Sequence, residues 1–146
     1  MSNIATTIVQ SKHLLELGLS KETADMSYSE EYFGNDKDGN DEWCWRLNAC
    51  KFVDIEGIIP AWSLSALLEV MPKNTNETYH LFSSMMADQL GSWVCDRSKY
   101  YIDTDGYNKN DYECFKSDNP ITAAYEMVCY LLEQGLIKKG EQDENN

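Results

Sequence analysis

This 146-residue chain is short of positive charge and of histidine. Twelve Lys and Arg stand against twenty-five Asp and Glu, and the two histidines are His13 and His80. The formal charge of −13 repels phosphate backbones, so no direct nucleic-acid binding is expected. A basic protein surface would suit this charge, and so would plain solubility. No apolar run approaches the roughly 20 residues of a membrane span. The opening Met1-Ser2-Asn3-Ile4-Ala5-Thr6-Thr7 lacks the basic start and apolar stretch of a signal peptide. No membrane association is expected, and the expected location is cytoplasmic.

Other absences bear on chemistry. There is no Gly-x-Gly-x-x-Gly and no Walker-type Gly-Lys-Ser/Thr loop, so no cofactor is expected. There is no Cys-x-x-Cys, and neither histidine is clustered with cysteines as a zinc cage requires. Cys44, Cys50, Cys95, Cys114 and Cys129 make an odd count, which reads as free thiols rather than a disulfide framework. Two Asp-Gly loops resemble half of a calcium loop. Aligned on Gly106, ligand positions 1 and 12 hold Tyr101 and Tyr112; aligned on Gly39, they hold Gly34 and Trp45. Both alignments fail, and Asp105-Gly106 reads instead as a hairpin turn. No catalytic, cofactor-binding or metal-ligating residue is assigned.

What is present is periodic. A helix is expected from about Thr7 to Leu17, capped by Thr6 or Thr7 and stopped by Gly18. Ser20 caps a short helical turn through Met26, and Tyr28 to Phe33 reads as extended. Residues 34–41 form an exposed loop. Trp43, Trp45, Leu47 and Ala49 then alternate with polar neighbours like a strand with one buried face, until parity flips at Cys50 and Phe52. Leu64, Leu67, Leu68 and Met71 mark a second helix, capped by Ser63 or Ser65 and ended by Pro72. Strands over Tyr79–Met86, Ser92–Asp96, Lys99–Asp103 and Tyr112–Lys116 form a meander. The third helix starts at Asn119-Pro120 and ends before Gly135, with Ala124, Met127, Val128, Leu131 and Leu132 on one stripe. The expected fold class is α+β: one small antiparallel β-sheet of about four to five strands, with three main helices packed on one face. Residues 1–140 form a single domain and 141–146 a disordered acidic tail.

Aromatics are the most suggestive feature. Four tryptophans and nine tyrosines are more than a small core needs, and Trp and Tyr favour interfaces. Trp43, Trp45, Tyr100, Tyr101 and Tyr107 are the candidate interaction surface. For Trp43 and Trp45, filling the core beneath the last helix is the competing reading.

Three patches also resemble a group of small proteins without an assigned activity from Bacteroides-type gut bacteria and their phages or mobile elements. They are Thr6-Thr7 with Gln10-Ser11-Lys12, Leu14 to Gly18 and Thr23 to Met26; Pro60 to Leu64 with Leu68-Glu69 and Pro72; and Pro120, Ala123-Ala124 and Tyr130 to Leu132. The resemblance implies a mobile-element accessory protein and carries over no functional residue. The leading expectation is a non-enzymatic interaction module that binds a protein through acidic and aromatic surface. DNA mimicry by ordered carboxylates is its sharper form. The alternatives are a cysteine-dependent enzyme pairing Cys95 or Cys114 with His80, and a structural homo-oligomer.

Overall fold

The computed structural model describes residues 4–50, 55–72, 77–84, 92–102, 108–137 and 139. The order of elements is α1 (Ile8–Glu16), a 3-10 turn (Lys21–Thr23), β1 (Met26–Asn35), β2 (Asp41–Asn48), β3 (Ile59–Ala61), α2 (Leu64–Val70), β4 (Glu77–Ser84), β5 (Ser92–Ile102), β6 (Asn108–Ser117) and α3 (Pro120–Glu133).

Local chemistry sets the helix ends. Thr7 Oγ1 accepts from the Gln10 amide at 3.1 Å, and Gln10 Oε1 accepts from the Thr7 amide at 3.0 Å. This reciprocal box satisfies two donors that the first turn would otherwise leave open. At the other end Gly18 takes φ +102°, and Leu19 N–H reaches back to Leu14 O while Gly18 N–H reaches Leu15 O. The same closing pattern ends α3, with Gly135 at φ +72°, Leu136 N–H on Leu131 O and Gly135 N–H on Leu132 O. Ser63 caps α2 by accepting from the Ala66 amide, and is itself held by Asp25. Asn119 Oδ1 accepts from Ile121 N–H, with Pro120 in the first turn of α3.

The strands form two three-stranded antiparallel sheets, ordered β2-β1-β3 and β4-β5-β6, in place of the single sheet expected. Strand β3 completes the first sheet. Its three residues include Pro60, which lacks an amide donor and so reads as a strand breaker. At the sheet edge that missing donor is tolerated, and Met26, Ser27 and Tyr28 of β1 pair with Ala61, Pro60 and Ile59. The meander is as expected, except that the strands read at Ser92–Asp96 and Lys99–Asp103 are one strand, β5. The polar run Asp96-Arg97-Ser98 lies within it. It stays paired because Glu113 stands opposite Arg97, and Tyr112 donates to the Asp96 carboxylate at 3.3 Å.

The main core joins Leu14, Leu19, Trp62, Leu67, Cys95 and the apolar stripe of α3, with Tyr79, Leu81, Trp93 and Phe115 of the second sheet packed against it. Helix α3 covers β5 and β6, α2 packs against α3, and α1 packs against β3 of the first sheet, so the expected layer of three helices on one sheet face is formed chiefly by α3. A smaller cluster of Ala5, Met26, Tyr28 and Ala61 anchors the base of the first sheet, flanked by Ile8, Leu47 and Ile59. Polar groups between the clusters are satisfied. Thr6 Oγ1 accepts from Trp62 N–H and shares a hydrogen bond with Ser11 Oγ, Tyr28 OH donates to Thr6 O, and Trp62 Nε1 donates to Thr23 Oγ1. The turn at Asp105-Gly106, the parity flip at Phe52, the segment at 73–76 and the tail at 141–146 lie outside the described residues.

Candidate functional site: an aromatic arm

Beyond Tyr28 and Leu47 the β1–β2 ribbon leaves the body of the protein. Residues 41–46 of β2 are all exposed, which overturns the expectation that Trp43 and Trp45 line a buried face. Trp43 is 57% exposed and Trp45 44%, and the core beneath α3 is filled by other side chains. Alternation along a strand shows that two faces differ. It does not show which is covered.

The register places these rings in one row. Tyr28 pairs with Leu47, Glu30 with Trp45 and Tyr32 with Trp43, and directly opposed residues share a face. An apolar stripe therefore runs outward from the anchored cluster through Leu47 and Trp45 to Trp43 and Tyr32. The Tyr32 and Trp43 rings pack at a centroid distance of 5.2 Å with planes tilted by 59°. Tyr32 OH lies 2.9 Å from Asn35 Oδ1 and 3.2 Å from Asp41 Oδ1, which fixes its ring near the tip. Phe33, 58% exposed, falls where the register slips between Tyr32 and Gly34, and is the extra residue of a bulge.

The tip is closed by Asp36. Its Oδ1 accepts from the amides of Asp38 at 2.8 Å and Asn40 at 2.9 Å, while its own amide donates to Asn40 O. The Asn40 backbone hydrogen bond, helped by those from Asp38 and Gly39, holds the Asp36 carboxyl below its ordinary range. On the face away from the tryptophans, Arg46 Nη1 lies 3.4 Å from the Glu31 carboxylate. Glu30, Glu31, Asp36, Asp38, Asp41 and Glu42 outnumber Lys37 and Arg46 along this arm.

Of the other sequence candidates, Tyr100 and Tyr101 lie on β5 opposite Asn110 and Lys109, and Tyr107 lies outside the described residues. The structure brings Trp43 and Trp45 into one row with Tyr32, which was not singled out. Its signal was present: Tyr28, Glu30 and Tyr32 share one parity of an extended run.

Burial holds two of the thiols in the neutral form. Cys95 pairs with Leu81, beside His80, and is fully buried; burial, then Asp96, pushes its thiol up to about 12. Cys114 and His80 stand two strands apart with Asp96 between them, a backbone separation of about 10 Å. Cys129 lies in a shallow groove of about 420 Å³ with His13, Tyr125 and Glu133. Burial pushes its thiol up to about 11, against a lowering hydrogen bond from Tyr125. A nucleophilic cysteine needs the opposite shift.

A larger cleft of about 490 Å³ lies between the 3-10 turn and α2, with Leu19, Ala66, Val70 and Ile137 on its walls. Three of its polar groups already serve the fold. Asp25 accepts from Ser63, Ser20 caps the 3-10 turn, and Thr23 bridges Trp62 and Ser20. Among the described residues no group of three or more His, Cys, Asp or Glu could hold a metal ion, and no helix is long and apolar enough to cross a membrane. No protein-family model, curated protein or solved structure matches the chain.

Proposed function

We propose that this chain is a non-enzymatic protein-interaction module whose docking element is the β1–β2 arm. The observation that carries the reading is the outward stripe of Trp45, Trp43 and Tyr32 on a ribbon whose base is anchored in a packed cluster. Exposed aromatic patches of this kind are rare on surfaces without partners, and Trp and Tyr dominate the energetics of interfaces. The carboxylates beside the stripe favour a partner that sets a basic side chain against them. On the arm, Glu30 shares the tryptophan face while Glu31 and Glu42 share the other. That division favours an aromatic contact with a charged rim over a phosphate-like row. A role as an accessory protein of a phage or mobile element is the setting this reading takes from the sequence resemblance.

The test compares tagged wild type with the Trp43→Ala/Trp45→Ala variant as baits in lysate from the source cells, read by mass spectrometry at low and high salt. Both side chains are exposed, so circular dichroism and thermal melting should be nearly unchanged. Specifically retained proteins should be lost from the variant. Retention of the same set by both baits would move the docking surface elsewhere.

A further inference from the structure

We infer that the partner of the arm is a second copy of this chain, joined edge to edge along β2 in antiparallel register centred on Cys44. The inference rests on the arm being the docking element and names its occupant. In the order β2-β1-β3, β2 is a terminal strand, and among the described residues nothing pairs with its outer edge. The bulge that interrupts the ribbon falls on β1, so β2 runs without a register slip of its own from Asp41 to Asn48. It contains no Pro and no Lys, two of the residues that usually guard an open edge.

The sequence of β2 is self-complementary in one register. A strand paired antiparallel with its own copy about a two-fold axis opposes residues of the same face, so the axis must pass through a residue. Centred on Trp43, the pairing sets Asp41 against Trp45. Centred on Trp45, it sets Glu42 against Asn48 and Arg46 against Cys44. Centred on Arg46, it opposes two guanidiniums. Centred on Cys44, it opposes Glu42 to Arg46 and Trp43 to Trp45, each twice by symmetry, and leaves the mismatch of Asp41 with Leu47 to the two ends. One face of the joined edge then carries four tryptophans with a Tyr32 at either side. The other carries two ion pairs flanking two cysteines.

The neighbours fit this register. Arg46 already lies 3.4 Å from Glu31, and a guanidinium has donors enough to serve Glu31 and the second copy's Glu42 together. The two ribbons would merge into a six-stranded sheet, which satisfies the open backbone edge of β2 on both copies and packs the exposed indoles side by side. About six residues a side make a small interface of the transient class, so association should be reversible and dependent on concentration. Repulsion between distant charges of the two −13 chains is screened beyond the Debye length of about 8 Å at physiological salt, while the arms' own carboxylates repel within it and the opposed Glu42–Arg46 pairs offset them.

The test is sedimentation velocity over a wide concentration range on wild type, Glu42→Arg, Arg46→Glu and the double exchange. Each single reversal opposes like charges twice and should weaken dimerisation at least about tenfold. The double exchange recreates both ion pairs and should restore it. A second readout is diamide oxidation followed by non-reducing peptide mapping. Opposed residues of an antiparallel pair have Cα atoms about 4.5–5.5 Å apart, within disulfide reach. Two Cys44 thiols would lose their protons and pass two electrons to the azo reagent, which becomes the hydrazide as the S–S bond forms. A Cys44–Cys44 cross-link absent from Cys44→Ala, and exceeding links through exposed Cys50 and Cys114, is expected. A protein that stays monomeric and yields no Cys44–Cys44 peptide overturns the inference, as does a dimer indifferent to both reversals. If that monomer still loses its lysate partners on Trp43→Ala/Trp45→Ala, the arm docks a different protein, and only the self-pairing is refuted.

Discussion

The five cysteines divide by environment into two chemical kinds. Cys44, Cys50 and Cys114 are exposed, while Cys95 is buried and Cys129 partly so. Burial penalises the thiolate, raising Cys95 from 9.0 to about 12 and Cys129 from 9.0 to about 11. Native protein at pH 8 should therefore react with a thiol reagent readily at three cysteines, more slowly at Cys129, and at Cys95 only after unfolding. The same shifts give stability a pH dependence. Above pH 9 the unfolded chain releases these protons and the native state retains them, so the unfolded state binds fewer. Stability contributed by the buried neutral thiols is full below pH 9 and declines from there up to about 11–12. Cys95→Ala should lower the baseline stability but flatten that alkaline decline, as measured by urea unfolding at pH 8, 9 and 10. An equal slope in wild type and variant would show that Cys95 is not its source.

At the scale of elements, the helices were the legible part because their signals lie within a few residues of each other. Thr7 with Gln10, Ser20 with Glu22, and Asn119-Pro120 each close a helix start through local hydrogen bonds. The stops are equally local. Gly135 sits in the left-handed region at φ +72°, with nothing within 4 Å of where a Cβ would be. Gly135→Ala should thus cost backbone strain alone, about 1–2 kcal/mol. Gly135→Asn should cost clearly less, because asparagine tolerates that region. The check is the urea midpoint at unchanged m-value. If Asn proves as harmful as Ala, something other than backbone conformation is lost. Strands were less legible because their partners are remote. Nothing near Pro60 announces that Met26 to Tyr28 will pair with it, and nothing near Arg97 announces Glu113. Trp43 and Trp45 show the same gap at the site itself. Their alternation was plain, but their exposure depends on which sheet the helices cover.

For the whole molecule, this distribution of packing implies an uneven distribution of stability. The main core runs through α1, α2, α3 and the inner face of β4-β5-β6, whereas β2 keeps only Leu47 and Asn48 partly covered. Amides held mainly by solvent-exposed ribbon hydrogen bonds open locally, without global unfolding. Hydrogen exchange should therefore show α3 amides from Ala123 to Leu132 exchanging near the global limit, and the arm from Tyr32 to Cys44 exchanging far faster at low protein concentration. Met127→Ala separates the two regimes. Met127 is fully buried in the main core, so its truncation should cost about 2–5 kcal/mol and speed α3 exchange accordingly. Exchange along the arm should barely move, since its opening does not pass through that core. If arm and α3 amides instead accelerate together, the two sheets unfold as one unit, and the arm is as much a part of the fold as the surface it projects from.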